Sequence, residues 1–539
     1  MVIEGCNATI QPQKAFYPLA DNLSNMSPAI VELTVQIRDQ EFTLTVPLQQ
    51  YNAKGIQKQC LHLRFHNRKA QAAFNDALTA DLLDGLTNGT IQCGYYIEKA
   101  GAVTFPDGHT CFIRGPELLG LCSRPYLLAP EISMVRLLGR GTLSTEILSL
   151  LLASPHQVLL VFAYVILTSI RSLIIGEGID LQAVLYIVGG QGLGKTTLAT
   201  RIAGIYEQAG KPTGIVQAGS THAAVNAMMA SSRDQPVVID DLCLSASRET
   251  ARKRVDLASK LIRQGTGCIP ITKKSGSSTV ELPCEAGLII TAEFHLENLS
   301  DLTRCIIVPI QKQLHIPDDL TPSLVGDAVR HYSLWLTEHI HEEINRYRVA
   351  VNSAVAKNET DTRIATNYAC LKAAFQSFIR SLDGVGGSSN INMINLSFKK
   401  INKALTEAKR QHQAMIEQIK DSFPAGNLSF CILEGYHNGA FDLTQKIEKL
   451  SKHDGIIWRD DLCLRKDALI QFVRHQSGYH DWTSNRITRA LRDINALVIQ
   501  EEGTAMVRLA KGEGIPRVYR IRLNVLKDTA KAYKGGTLI

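Results

Sequence analysis

The sequence predicts a multidomain α/β chain centred on a parallel sheet with helices on both faces, and three observations predict it. Between about 181 and 345, short apolar runs rich in β-branched residues ("AVLYIVG", "GIVQAG", "PVVIDDL", "GLIITAEF", "RCIIVPI") alternate with helix-like segments. Runs of that kind suit strands buried on both faces. A glycine-rich stretch, "GGQGLGKTT", sits between one such strand and the helix "TTLATRIAGIY". The flanks have other periods: two-residue alternation before about 130, and helical periodicity after 346.

A chain of 539 residues exceeds the size at which one hydrophobic core stops growing. Four domains are expected. Residues 1–130 ("VELTVQIRDQEFTLTVPL", "CLHLRFHN", "HTCFIRG") read as a β-rich N-terminal domain with Asp/Gly turns. Residues 131–345 hold the helices that lead into the parallel sheet, and the sheet itself. Residues 346–430 read as a helical lid and linker helix, interrupted by the breaker "DGVGGSSN" and closed by "PAGN". Residues 431–539 read helix, helix, helix, hairpin, the hairpin being "LVIQEEGTAMVRLA" and "RVYRIRLNVL" joined by "KGEGIP". That order looks like a winged helix, a helix-turn-helix variant, and a DNA-binding domain is expected.

Composition excludes several classes. With 45% hydrophobic and 20% charged residues and no low-complexity tract, the chain is globular. Twelve cysteines stand singly, without C-x-x-C pairs or His/Cys clusters at zinc spacing, so neither a disulfide framework nor a zinc ribbon is expected. A reducing cytoplasm follows, and "MVIEGCNATIQPQKAF" has no signal-peptide pattern. The apolar stretch "VLLVFAYVILTSI" is shorter than the roughly 20 residues of a membrane span, so a buried helix is expected there and no membrane association. Net charge is +7, and from Cys431 onward 18 Lys+Arg face 13 Asp+Glu, as a nucleic-acid-facing module would have it.

The glycine-rich stretch fits the phosphate-binding loop pattern G-x-x-x-x-G-K-[ST] with Gly189, Gly194, Lys195 and Thr196, and Gly190, Gly192 and Thr197 belong to the same cradle. Glycines let backbone N–H groups curl round phosphates at a helix N-terminus, Lys195 reaches the β and γ oxygens of ATP, and Thr196 ligates Mg²⁺. Some 45 residues on, "PVVIDDL" ends in Asp240 and Asp241. One carboxylate there suits the Mg²⁺ and its neighbour suits polarising the attacking water.

After the helix "RETARKRVDLASKLIRQ" comes "PITKKSGSSTVEL", a short hairpin with Lys273 and Lys274 entering its turn. The strand "GLIIT" ends in Thr291, with Glu293 close by, and "SDLTRCIIVPI" places Arg304 before the last strand. "ETDTRIATNYACLKAAF" places Arg363 at the start of an amphipathic helix, with Arg346 and Arg348 as competitors. In the tail, Arg486, Arg489 and Arg492 recur on one helix face opposite Ile487, Leu491 and Ile494, with Ser484 as cap. Such a face suits DNA phosphates or groove edges, or equally a solvated surface on a protein-binding module.

This order of parts resembles AAA+ ATPases, and within them the MCM-like, self-loading replicative helicases of bacterial mobile genetic elements. The resemblance implies a homohexameric ring on single-stranded or forked DNA, with ATP hydrolysed at subunit interfaces. It implies that Thr291 helps orient the hydrolytic water, that Arg304 is an arginine finger for a neighbouring subunit, and that Arg363 is a second sensor touching nucleotide as the lid closes. It also implies that Lys273 and Lys274 grip a strand in the pore, where a solvated surface hairpin is the bland alternative. Two departures stand out: the second acid is Asp241 where Glu is usual, and Thr291 stands where Asn is common. A different class, a nucleotide-switched DNA-binding initiator or transposition helper without unwinding, would use the same loop and tail. A small-molecule kinase would have no use for the tail.

Overall fold

The apolar runs become strands because strand burial on both faces removes every side chain from water, and five of them assemble in one parallel sheet. This computed structural model describes residues 5–19, 27–139, 146–243, 248–275, 278–296, 298–357, 361–382, 389–421, 424–476, 482–499, 505–510 and 515–533. The chain divides into two compact units, Met1–Arg410 and Gln411–Ile539.

The first unit opens with β1 (Thr9–Pro18), β2 (Ile30–Ile37), β3 (Gln40–Pro47), α1 (Ala53–Gln59), α2 (Arg68–Thr87) and β4 (Gln92–Ile97). There follow β5 (Gly101–Thr104), β6 (Thr110–Arg114), β7 (Glu117–Leu119), β8 (Tyr126–Leu128), α3 (Pro130–Ser133) and β9 (Val135–Leu137). A five-stranded sheet runs in the order β3-β2-β1-β4-β8, and β5-β6-β7 form a separate antiparallel sheet. The segment is less purely β than expected. Asn67 caps α2 by accepting from the Ala70 amide, and Phe74, Leu78 and Leu82, one per turn, bury the helix against the sheet.

Next come α4 (Glu146–Ala153), α5 (His156–Thr168), α6 (Arg171–Gly176), β10 (Val184–Gly189), α7 (Lys195–Ala203), β11 (Tyr206–Gln208), β12 (Lys211–Thr213) and β13 (Ile215–Gln217). They lead to α8 (His222–Ser231), β14 (Pro236–Leu242), α9 (Arg248–Gly265), β15 (Ile271–Ser275), β16 (Ser278–Leu282), β17 (Gly287–Ala292), α10 (Leu299–Leu302) and β18 (Cys305–Ile310). The central sheet has the order β13-β14-β17-β10-β18, every pair parallel. α5 is the long apolar stretch; all its positions from Val158 to Thr168 are buried. Among the described residues no helix is long and apolar enough to cross a membrane. The P-loop helix is shorter than its sequence suggests: α7 stops at Gly204, and Tyr206 already belongs to β11.

Residues on either side of the expected boundary at 130 share buried hydrogen bonds. Arg114 of β6 is fully buried and donates to the Ser169 carbonyl (2.5 Å), the Asp234 carbonyl (3.1 Å) and Ser333 Oγ (3.1 Å). The buried Asp234 carboxylate accepts from the Ala102 amide (2.8 Å) and from the Ser172 amide and hydroxyl (both 2.6 Å). Burial pushes the Asp234 pKa up, against the opposing pull of Arg114 and those donors. Gly101 is required here, since a Cβ on it would lie 2.4 Å from Asp234 Oδ2. Ala102 and Arg114 are thus tied by buried hydrogen bonds to Asp234, just before β14.

Thr321 caps a helix with Pro322 in its first turn, and that helix, α11 (Pro322–Ala356), runs unbroken through the expected boundary at 345. It packs on α12 (Thr362–Ser381), and α13 (Ser389–Asp421) follows. Glu343 of α11 is fully buried and pairs with Arg346 and Arg380.

The second unit contains α14 (Pro424–His437), β19 (Leu443–Thr444), β20 (Gly455–Trp458), β21 (Asp461–Arg465), α15 (Lys466–His475), α16 (Ser484–Asp493), β22 (Val518–Arg522) and α17 (Leu523–Tyr533). The expected boundary at 430 falls inside α14. Its sheet, β19-β20-β21-β22, includes a hairpin the sequence reading passed over, "GIIWRDDLCLR", whose two turn residues Arg459 and Asp460 both take positive φ (52° and 64°). Among the described residues of the expected C-terminal hairpin, Leu497 and Val507 make single bridges to β22, and "LNVL" opens a helix instead of extending a strand. Leu523, Leu526 and Ala530 bury one face of that helix, which accounts for the difference. Most of the "KGEGIP" loop lies outside the described residues.

Candidate nucleotide site

Parallel strands bring their carboxyl ends to one edge, and there the motif residues meet. β10 runs into the glycine-rich loop at Gly189, β14 carries Asp240 and Asp241 just before its last residue, Leu242, and β17 places Thr291 beside Ile187 of β10. Gly192 and Gly194 take positive φ (75° and 91°), conformations L side chains rarely adopt, and nothing lies within 4 Å of where a Cβ on Gly192 would be. The loop is therefore both bent and open on one side, a shape into which phosphates fit. Gly189 and Gly190 lead into it, and Thr196 and Thr197 follow Lys195 in the first turn of α7. The buried Lys195 Nζ donates to the Gly190 carbonyl at 2.7 Å.

Asp240 is the hub. Its Oδ1 accepts from Thr196 Oγ1 (2.9 Å) and Thr291 Oγ1 (2.6 Å), and its Oδ2 accepts from Gln217 Nε2 (3.4 Å). Thr291 is fully buried and also accepts from the Asp241 amide at 2.9 Å. The ladder between β14 and β17 slips between Ile239 and Leu242, and Asp241 stands there at φ 66°, exposed. A hydroxyl and a carboxylate oxygen 2.9 Å apart at the mouth of the loop are hard oxygen donors of the kind Mg²⁺ takes, so Thr196 and Asp240 fit that ion.

The hydroxyl of Thr291 is directed at Asp240. Glu293 holds its place through its backbone, its amide donating to the Leu242 carbonyl. Two participants escaped the sequence reading. Gln217 ends the run "GIVQ" in register with Asp240, and a polar residue at the end of an apolar strand was the available signal. The segment after β18 lies against the loop, the Leu314 amide donating to the Leu193 carbonyl (3.3 Å), while Arg201 of α7 reaches the Ile316 and Pro317 carbonyls.

Arg304 lies at the opposite edge. Its carbonyl accepts from the amide of Val184, the first residue of β10, whereas Lys195 follows the last. Six strand residues span roughly 17–20 Å, more than an arginine side chain covers. Its Nε donates to Cys268 Sγ at 3.1 Å and its Nη1 to the carbonyl and hydroxyl of Ser300.

Arg363, expected as a second sensor that touches nucleotide as the lid closes, lies away from the glycine-rich loop. It stands in the first turn of α12, and one turn on, Asn367 donates to the carbonyls of Gln182 and Thr303, which precede β10 and β18. That is the Arg304 edge. The competitors are engaged elsewhere: Arg346 with Glu342 and Glu343, and Arg348 with Glu177.

The lysine hairpin forms a two-stranded sheet of its own, with Lys273 opposite Val280 and Lys274 opposite Thr279. The side chains of both lysines and the two turn residues lie outside the described residues. In the second unit, Arg486, Arg489 and Arg492 are exposed on α16 while Ile487 and Leu491 are buried, and Arg486 stacks on the Trp482 ring at 4.5 Å. The cap is Thr483, one residue before the expected Ser484, whose hydroxyl instead pairs with Tyr519.

No protein-family profile matches this chain, and no curated protein does. Among solved structures, the chain is similar to one described as the SCCmec type IV Cch active helicase, at 13% identity, over 96% of this chain and 94% of that one, with a TM-score of 0.48. Two inhibitor-bound structures of JCV helicase match at 13% and 14% identity over 49% and 44% of this chain and 65% and 58% of theirs, each with a TM-score of 0.20.

Proposed function

We propose that this chain is an ATP-hydrolysing motor that works as a ring of identical subunits and unwinds DNA. The observation that carries the proposal is the separation of Lys195 and Arg304 to opposite edges of one parallel sheet. A loop that cradles phosphates at one edge, and a permanently charged guanidinium at the other, complete each other only when two copies stand edge to edge. Arg363 shares the Arg304 edge, so in this reading both serve the neighbour's nucleotide.

Within one subunit the chemistry divides as follows. The amides of Gly192, Gly194, Lys195, Thr196 and Thr197 and the ammonium of Lys195 bind the triphosphate. Mg²⁺, when bound to Thr196 and Asp240, neutralises charge on the β and γ oxygens. Thr291 and Gln217 hold the Asp240 carboxylate in place, as hydrogen-bond partners of metal ligands do. Asp241, exposed past the bulge of β14, is the acid left to orient water.

The hairpin of β15 and β16 would carry Lys273 and Lys274 to the strand, holding phosphates without reading bases. The arginine face of α16 would make a further DNA contact. Self-loading and service in the replication of a mobile element belong to the same reading and rest on the order of motifs. Strand displacement on forked duplexes tests it: ATP-dependent unwinding is expected, lost in Lys273→Ala/Lys274→Ala with ATPase retained. Nucleotide-dependent DNA binding without unwinding in the unmodified protein would favour the switch.

A further inference from the structure

α8 leaves the nucleotide site and ends its first two turns at the hairpin. Its strand, β13, closes on Asp240 through Gln217, and the next residue, Ala218, donates its amide to the Asp240 carbonyl at 2.7 Å. Thr221 then caps α8. Five residues further, Asn226 is 2% exposed, and its Nδ2 donates to the Thr272 carbonyl (3.1 Å) and Thr272 Oγ1 (3.3 Å) on β15. Its Oδ1 accepts from Nε2 of Gln264, 1% exposed on α9, which also reaches the Pro270 carbonyl at 3.5 Å.

Two buried amides thus hold the root of the hairpin, directly before the lysine pair. Here they grip backbone that has left the central sheet. A cavity of about 280 Å³ lies between α8, α9 and β14, lined by residues that include Ala218, His222, Val225, Ile239 and Leu261. Arg254 of α9 spans it at one end by donating to the Ala218 carbonyl (2.9 Å).

We infer that Asn226, backed by Gln264, is the joint through which the state of the nucleotide site sets the position of the lysine hairpin. A change at Asp240 displaces the start of α8 through Gln217 and Ala218, the cavity lets the helix shift, and Asn226 carries Thr272 with it. Asn226 and Gln264 are positioning residues, and the inference rests on the motor reading for its consequence though not for its test.

The test is hydrogen exchange of residues 269–282 in the unmodified protein and in Asn226→Ala and Gln264→Ala, with Mg²⁺ and either ADP or a non-hydrolysable ATP analogue, together with ATPase and strand displacement. The unmodified protein is expected to show nucleotide-dependent exchange in this segment. Asn226→Ala should lose that dependence and lower unwinding about ten-fold, the usual size of a coupling between sites, with ATPase little changed. Gln264→Ala should do the same to a smaller degree, since Asn226 keeps its own bonds to Thr272. A hairpin that responds to nucleotide equally in all three proteins overturns the inference. So does equal loss of ATPase and nucleotide response in both variants, which marks a merely structural role. Nucleotide-dependent exchange without unwinding in the unmodified protein supports the joint and overturns the motor reading instead.

Discussion

Replacing Thr291 with valine probes the site with almost no change of shape. The hydroxyl it removes donates to Asp240 at 2.6 Å and accepts from the Asp241 amide at 2.9 Å. The first bond is to a carboxylate, and such bonds contribute about 1.5–3 kcal/mol; loss of the second leaves a half-buried amide short of a partner, at about 1 kcal/mol. Some of this is recovered because Thr196 and Gln217 still hold Asp240, so a net loss of about 2–3 kcal/mol of stability is expected. The larger effect falls on the metal. Asp240 keeps its place but loses the partner that fixes its orientation, and losses of that kind cost about ten- to a hundred-fold in metal affinity. The assay is ATPase rate against Mg²⁺ concentration, with urea unfolding followed in parallel. Thr291→Val should need more Mg²⁺ for half-activation while its rate at saturating Mg²⁺ falls less. An unchanged Mg²⁺ curve together with a large fall in maximal rate would refute the positioning role and restore Thr291 as the residue that orients water.

Other predictions follow from the same geometry. Cys268 is exposed and accepts from Arg304 Nε, so its alkylation should lower ATPase while leaving nucleotide binding intact, and Cys268→Ser should resist the reagent. Arg114→Met should destabilise the first unit by about 3–5 kcal/mol by leaving three buried acceptors and the Asp234 carboxylate without it, read by urea unfolding. Burial would raise the Glu343 pKa, but bonds from Arg380, Ser377 and Arg346 outweigh it and hold the pKa below the usual range. A lowered carboxylate pKa adds stability above its unfolded value of about 4.3 and loses it as pH falls through the folded value. Glu343→Gln should therefore be less stable than the unmodified protein at pH 7, and the gap should close in acid below about 4.3.

The parallel sheet was legible because its signal is local: each strand is a continuous apolar run, and burial on both faces demands one. The loop and Asp240 were legible for the same reason, being motif residues at strand ends. What sequence could not supply was the direction of the strands relative to distant residues. Arg363 reads as a sensor in any lid helix, yet only the bonds of Asn367 to Gln182 and Thr303 place that helix start at the far edge. Thr291 was recognised by position, but its commitment to Asp240 depends on a bulge in β14 that no periodicity announces. Arg114 looked like one more residue of a β-rich segment, and its burial depends on partners 55, 120 and 219 residues away. The helix α2 was missed although Phe74, Leu78 and Leu82 mark it, because neighbouring two-residue alternation set the expectation for the whole segment.

The most direct test of the account is complementation between two inactive variants. Lys195→Ala removes the cradle's ammonium and Arg304→Ala removes the guanidinium at the far edge, so each protein alone should hydrolyse almost no ATP. Mixed in equal amounts, subunits that exchange freely form about a quarter of their interfaces from an intact Lys195 and an intact Arg304, and ATPase should return to about that fraction. A mixture as inactive as its parts, in subunits shown to exchange, or an Arg304→Ala protein with full activity, would contradict a site shared between neighbours.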